Sequence, residues 1–439
     1  MKLRTIFWFW LPLAFSWLLM TFEGPWIQGV ISRKADPELQ LAAFGLIMSL
    51  SVLIEAPVIM FLAVGSALAR DRQSYRTLSR YTMAINIILT GVAVLMAWTP
   101  LLDLYLGGLL GIPEPIIDAV RPGMTIMILW TGFIGYRRFH QGVLINQGRT
   151  HTIGTGTVLR IVASAGIAIV LGIWSALPGA VIGAAALIVA VLVEMLYVHW
   201  ISRKDVRKLE ATERPPKRKP LGYRQIMHFH IPLALTSVLT LLIRPVIERG
   251  LARADNAELA LAAFPVVFSI MLIMRAGGLA WQEVVITLSR GPDEVRSLRK
   301  FTWILGLGTS GLMFLFTISP LINIYTGAIL GVPPALQPLI RVGSIFGFLI
   351  PLFSAFQSYF RGMLMRTNIT SPIYQGMGLG FALTAGIMWV GVQQGFPAIP
   401  AASVALTGGI MIELIYLWRA FAAHESKLTG VWQLAAVEG

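Results

Sequence analysis

The chain has 439 residues, of which 56% are hydrophobic and only 13% charged, and its mean hydropathy is +0.73. So little polar surface excludes a water-soluble globular protein of this size and points to a polytopic membrane protein. Cysteine is absent, which excludes disulfides and thiolate metal sites. The formal charge of +14 does not indicate nucleic acid, because the basic residues gather in alternate connections.

In chain order, apolar runs between turn signals predict six spans, at 7–30, 42–69, 81–107, 117–147, 152–175 and 178–200. The first is too long, and too tightly joined to the rest of the chain, for a cleaved signal peptide. Arg70, Arg72, Arg76 and Arg80 lie in one connection and Arg149 in another. Connections such as "GGLLGIPEPIID" and "WSALPGA" are poor in basic residues. This positive-inside pattern puts both termini in the cytoplasm, and a bacterial inner or other plasma membrane is the expected location.

The stretch "SRKDVRKLEATERPPKRKP" (202–220) is the only long polar segment, and it reads as a cytoplasmic linker. Beyond it the six-span pattern repeats. "WLPLAFS" (10–16) answers "HIPLALT" (230–236), and "ELQLAAF" (38–44) answers "ELALAAF" (258–264). "TPLLDLYLGGLLGIP" (99–113) answers "SPLINIYTGAILGVP" (319–333). All share an offset of 220 residues, as do Pro25/Pro245, Arg121/Arg341 and Gly142/Gly362. The expected fold is all-α, with twelve transmembrane helices in two parallel six-helix repeats. Its expected domains are 1–201, a linker at 202–222, 223–422 and a cytoplasmic tail at 423–439. Parallel repeats suit a solute site between two rocking halves.

The charges inside the spans carry the functional reading. All eight lysines lie in connections or tails, whereas arginine enters the spans. Guanidinium is a planar fork that holds carboxylate or phosphate with two hydrogen bonds, so selective use of arginine suits an anion site. It equally suits buried ion pairs. Arg244 stands beside Pro245 and one turn before Glu248; an intrahelical pair is the plainer account. Pro245 disturbs the preceding turn, and the equivalent stretch "TFEGPWIQG" holds Glu23, Pro25 and Gln28. Matching breaks with polar groups around them favour the wall of a wet cavity.

In "SIMLIMRAGGLAWQEVV" (269–285), Arg275 and Gln282 share a face and Glu283 is adjacent. Glu55 is the repeat partner of Arg275, and the two are expected to face each other as an ion pair when no anion is bound. The fourth span ends in "GYRRFHQGVLINQGR" and its counterpart in "FQSYFRGMLMRTN". Arg138, His140, Gln141 and Asn146, with Gln357 and Arg361, could form a polar vestibule; snorkelling of basic ends to headgroups is the simpler account. Glu194 and Glu413 read as interface anchors or interhelical hydrogen-bonding groups. The six histidines lack metal-ligand spacing, and no phosphate-binding loop or catalytic pair is present. No enzyme activity, cofactor or metal is therefore expected.

Two six-helix halves joined by a linker resemble the multidrug/oligosaccharidyl-lipid/polysaccharide (MOP) exporter superfamily, which includes the MATE transporters. Within it, "FHIPLAL", "LLIRPVIERG", "AAFPVVFS", "QEVV" and the pair "HQGVL" and "FRGML" resemble the progressive ankylosis family. The resemblance implies outward movement of pyrophosphate, nucleotide or citrate-like anions, an anion role for Arg244 and an acidic functional position at Glu283. Arg137 and Arg138 depart from that pattern. The combined expectation is a secondary transporter exporting a small anion by alternating access through the bilayer. Arg244, Arg275, Gln282, Gln28, Arg138, Gln357 and Arg361 would bind solute. Glu23, Glu55, Glu248, Glu283 and His140 would gate or carry a coupling proton or sodium ion. A MATE-type multidrug/cation antiporter and a lipid-linked precursor flippase are the alternatives.

Overall fold

The computed structural model describes residues 2–149, 151–216, 219–289, 291–367 and 369–424. Among them there is no strand. Apolar helices cross hydrocarbon because each satisfies its own backbone hydrogen bonds, and the described residues form eleven such spans and a bent pair that makes a twelfth. They are α1 Leu3–Ile31, α2 Pro37–Leu68, α3 Arg72–Trp98, α4 Glu114–Asn146, α5 Thr152–Trp174 and α6 Gly179–Ala211. The second set is α7 Tyr223–Leu251, α8 Ala257–Leu288, α9 Pro292–Ile318, a bent pair α10 (Gln337–Phe346 and Ile350–Arg366, 42°), α11 Ser371–Gln393 and α12 Ala398–Ala423. The protein is a multi-pass integral membrane protein. Many large apolar side chains point outward, and Trp98 and Trp174 stand exposed at the C-terminal ends of α3 and α5. Alternate spans run in one direction, so the two indoles mark one membrane face, as aromatic belts do.

Several boundaries move from their expected places. Span α3 begins at Arg72 rather than 81, because Asp71 and Ser74 form a reciprocal capping box. It stops at Trp98, just before Thr99 and Pro100. Span α6 runs on to Ala211, so half of the expected linker is helix; no proline interrupts it before Pro215. Of the expected tail, residues 425–439 lie outside the described residues.

The sequence repeat is visible in the backbone. "TPLLDLYLGGLLGIP" and "SPLINIYTGAILGVP" each form a short helix that widens into a π-turn, at Leu104–Leu110 and Ile324–Ile329. Each then turns on a left-handed glycine, Gly111 (φ 77°) and Gly331 (φ 68°). The closing bonds match as well: the amide of Ile112 donates to the Leu106 carbonyl and that of Val332 to the Thr326 carbonyl. A side chain at either glycine would strain this backbone.

Packing groups the residues into two compact units, Trp26–Ala252 and Met1–Pro25 with Arg253–Gly439. They are named the 26–252 unit and the 253–439 unit. The division falls at Pro25, inside α1. In the 26–252 unit, α7 is tied down by His230: one ring nitrogen meets the Tyr81 hydroxyl at 2.8 Å and the other the Pro57 carbonyl at 2.9 Å. Pro57 precedes the break of α2 at Met60, and the imidazole N–H satisfies its carbonyl there. In the 253–439 unit, the start of α1 is anchored by Trp10, whose indole N–H donates to the Gly277 carbonyl at 2.9 Å.

The expected matching breaks differ. Helix α7 is interrupted at Leu242, but α1 is continuous from Leu3 to Ile31 with Pro25 inside it. A membrane helix accommodates a proline where neighbours re-satisfy the freed backbone group.

Candidate functional site

Each unit contains a cluster of guanidinium and carboxylate groups on corresponding spans. In the 26–252 unit, α4 crosses α6 so that Arg137 forms an ion pair with Glu194. Gln141, one turn along, donates to the other carboxylate oxygen at 3.1 Å. Arg160 of α5 approaches the same carboxylate at 3.8 Å. Close approach of α5 is allowed by Gly156, where a Cβ would meet the Glu194 side chain at 3.4 Å. Arg137 and Glu194 are almost fully buried, at 3% and 1% exposure. Such a pair has to satisfy itself internally, since an isolated charge in hydrocarbon is costly.

Glu55 of α2 lies within electrostatic range of Arg137, Arg138 and Arg160, with the Trp130 indole beside its carboxylate. Asn86 of α3 folds over Gly135 of α4, where any Cβ would collide with its amide. Three guanidiniums thus share this interior with two carboxylates. The Nε atoms of Arg137 and Arg138 are sealed from solvent without a hydrogen-bond partner, as are the indole nitrogen of Trp130, Oε1 of Gln141 and Oδ1 of Asn86.

The 253–439 unit repeats the plan with its letters moved. Arg361 of α10 donates through Nε to Glu413 of α12 at 2.9 Å, and its Nη2 closes on the same oxygen. Gly376 of α11 provides the matching clearance, a Cβ there meeting Glu413 at 3.1 Å. Arg275, at the position equivalent to Glu55, lies in electrostatic range of Arg361 and Glu413, and its Nε is sealed without a partner. Two guanidiniums face one carboxylate. Gln357 is buried on α10, and the amide of Gln282 on α8 donates to the Met365 sulfur at 3.3 Å.

The α7 site is held more tightly. Arg244 approaches Glu248 at 3.8 Å, as the i,i+4 spacing predicts, and reaches the Gly45 carbonyl at 3.4 Å. Glu248 also accepts the Ser49 hydroxyl at 2.7 Å. The plainer reading of Arg244, an intrahelical pair, is the arrangement present. His140 is buried, with Nδ1 at 2.9 Å from the Tyr136 carbonyl and its ring stacked on Tyr136. Asn146 donates to the Ser66 carbonyl at 2.8 Å. Gln28 is buried in the 26–252 unit and Glu23 half-buried in the other, while Glu283 is exposed on α8. The structure thus gathers Arg138 and Glu55 in one unit and Arg275 and Arg361 in the other, and leaves Glu283 apart. Sequence reasoning passed over Ser49, Asn86 and Trp130. Asn86 had the most visible signal, an amide inside the apolar run "MAINIILT".

No protein-family model matches the chain, and no curated protein matches it. Solved structures do. One is the inward-facing conformation of a multidrug resistance MATE family transporter of the MOP superfamily, with TM-score 0.73 at 14% identity over 97% of this chain and 98% of that one. The fold is MATE-like. The lipid II flippase MurJ in an inward closed conformation aligns with TM-score 0.68 at 12% identity, over 97% of this chain and 91% of that one. A MOP superfamily transporter from Pyrococcus furiosus, whose binding pocket has a reverse polarity suggesting a different function, aligns with TM-score 0.61 at 12% identity over 96% of both chains.

Proposed function

We propose that this protein is a secondary transporter that moves a small organic or phosphate-bearing anion, of the citrate, pyrophosphate or nucleotide class, outward by alternating access. It would work in a plasma or bacterial inner membrane with both termini cytoplasmic, coupled to a proton or sodium ion. One observation carries the reading: in the interhelical charge cluster of each unit, guanidinium groups outnumber carboxylates. Arg137, Arg138 and Arg160 stand against Glu55 and Glu194, and Arg275 and Arg361 against Glu413. A central charge costs about 2.5–3.5 kcal/mol even on the lenient insertion scale, and an arriving anion offsets an excess of cations. A cation antiporter needs the opposite balance, with carboxylate in excess.

The fold supports a transporter in general, and the reversed pocket polarity of the Pyrococcus furiosus protein offers a precedent for divergent function on it. The resemblance to the progressive ankylosis family supports the anion class. Arg138 and Arg275, whose Nε atoms lack partners, are the first anion-binding groups in this reading. Arg361, Gln357, Gln282, Arg244 and Gln28 are secondary. A lipid-linked precursor flippase is the second reading, favoured by the likeness to MurJ, because its cargo also carries phosphate.

The test is uptake into proteoliposomes of labelled citrate, pyrophosphate and ATP beside a cationic dye and a fluorescent lipid-linked precursor. Saturable anion uptake should fall at least about tenfold in Arg138→Ala and Arg275→Ala, roughly 1.4 kcal/mol of binding. Anion uptake indifferent to both substitutions removes the site. Dye or precursor movement without anion uptake removes the function.

A further inference from the structure

Glu55 is 7% exposed, and its Oε2 is sealed from solvent without a hydrogen-bond partner. Three guanidiniums lie in its range, yet the close ion pairs of this interior go to Glu194. Arg138 is in the same condition, near Glu55 and Glu194 with its Nε sealed and unpartnered. A permanently ionised carboxylate beside a permanently charged guanidinium in so dry a place would be expected to close on it, because each relieves the other's desolvation. Standing apart with orphaned atoms, each group is placed to take a partner from outside. The indole N–H of Trp130, beside the Glu55 carboxylate, adds a donor to the same interior.

We infer that Glu55 and Arg138 form a proton–anion co-binding site inside the 26–252 unit, where an anion settles on Arg138 as Glu55 takes up one proton. This rests on the anion-transport reading and adds the coupling to it. The proton comes from the aqueous side, an O–H bond forms on the Glu55 carboxylate, and the new hydroxyl donates to the anion. Ionised, Glu55 leaves the cluster one positive charge in excess; protonated, it leaves two. Two charges match a dianionic head such as a terminal phosphate or a pair of carboxylates. A polyvalent cargo keeps negative charge after one proton joins it, so a negative-inside membrane still drives it outward.

The other titratable and charged groups around this region have partners of their own. On α3, Tyr81 meets His230 of α7. On α4, His140 lies against the Tyr136 carbonyl, and Tyr136 meets His199 of α6. Further along α2, Glu248 and Arg244 of α7 meet Ser49 and the Gly45 carbonyl. Arg137 and Arg160 are directed to Glu194. In the 253–439 unit the position of Glu55 is Arg275, so no carboxyl there can take up a proton in the same way.

Proton uptake on adding citrate or pyrophosphate is measured with a pH-sensitive dye in weakly buffered detergent solution, and anion affinity is measured from pH 6 to 9. Wild type, Glu55→Gln and Arg138→Lys are compared at each pH, so that titration of the anion itself cancels. Wild type should take up close to one proton per anion more than Glu55→Gln. Its affinity should fall by up to about tenfold per pH unit relative to that variant. Arg138→Lys should bind anion at least severalfold more weakly while keeping the pH slope. An identical pH slope in wild type and Glu55→Gln overturns the inference and leaves anion transport standing. Absence of any anion binding by wild type overturns both. Should Glu55→Gln fail to fold, the proton count of wild type decides alone, and a count of zero rejects the coupling.

Discussion

One plan serves both units, yet their charged interiors differ in an instructive way. In the 26–252 unit, Arg137 pairs with the last-span glutamate and Gln141 supports it. In the 253–439 unit, glutamine stands at the first of these positions and arginine at the second, and Arg361 takes the glutamate. Residues four apart on a helix share a face, so either position can deliver a guanidinium to the same carboxylate. The pairing is preserved while its address moves by one turn. The equivalent positions 55 and 275 behave differently, because a glutamate and an arginine there cannot substitute for each other. The last-span clasp therefore reads as structure, and positions 55 and 275 as the place where the two units acquired separate roles.

The largest effect should come from removing the clasp where it is most buried. Glu194→Ala removes the carboxylate that pairs with buried Arg137 and should cost about 3–5 kcal/mol, read as a lower melting temperature in detergent. Glu413→Ala should cost less, because the Arg361 side chain is 24% exposed and finds water or headgroups. Equal losses would show that burial does not set the difference between the units.

A smaller effect separates the paired glycines. A Cβ on Gly142 would lie 2.4 Å from the Leu62 carbonyl oxygen, whereas on Gly362 it would meet the Val285 side chain at 2.9 Å and the Gln282 carbonyl oxygen only at 3.0 Å. Backbone yields less readily than a side chain. Gly142→Ala should therefore destabilise by about 1–3 kcal/mol and Gly362→Ala by less, measured by the same thermal shift. The smallest residual effect is predicted for the exchange of addresses. Arg361→Gln alone should destabilise, and adding Gln357→Arg should restore stability to within about 1 kcal/mol of wild type. Failure of the second change to rescue the first would mean that the one-turn shift is not interchangeable in this unit.

Much of this was legible in the sequence. The twelve spans come from hydropathy, and the repeat from an unbroken 220-residue register that reappears in the two π-turns and their left-handed glycines. Arg244 with Glu248 was readable as an i,i+4 pair, though a cavity wall was the favoured reading, and the pair is present. Glu194 and Glu413 were readable as interhelical hydrogen-bonding groups, and they accept bonds between spans. The contributions of Ser49 and Trp130 were not legible, and Asn86 showed only as an amide inside an apolar run. Each is an ordinary residue in its own helix and gains meaning only from what another helix turns toward it. The continuity of α1 through Pro25 was missed for the same reason, since a proline's effect depends on what surrounds the freed carbonyl.

The amino-acid sequence alone determined that this chain lives in a membrane, crosses it about twelve times and was built by doubling. Those properties add up locally, because transfer into hydrocarbon is summed residue by residue along each helix. Only the tertiary structure decided which arginine meets which glutamate, and that groups such as Glu55, Arg138 and Arg275 keep orphaned atoms. That choice depends on the rotation and crossing of helices far apart in sequence, and rotating a span by a fraction of a turn changes every partner it has while leaving its hydropathy untouched.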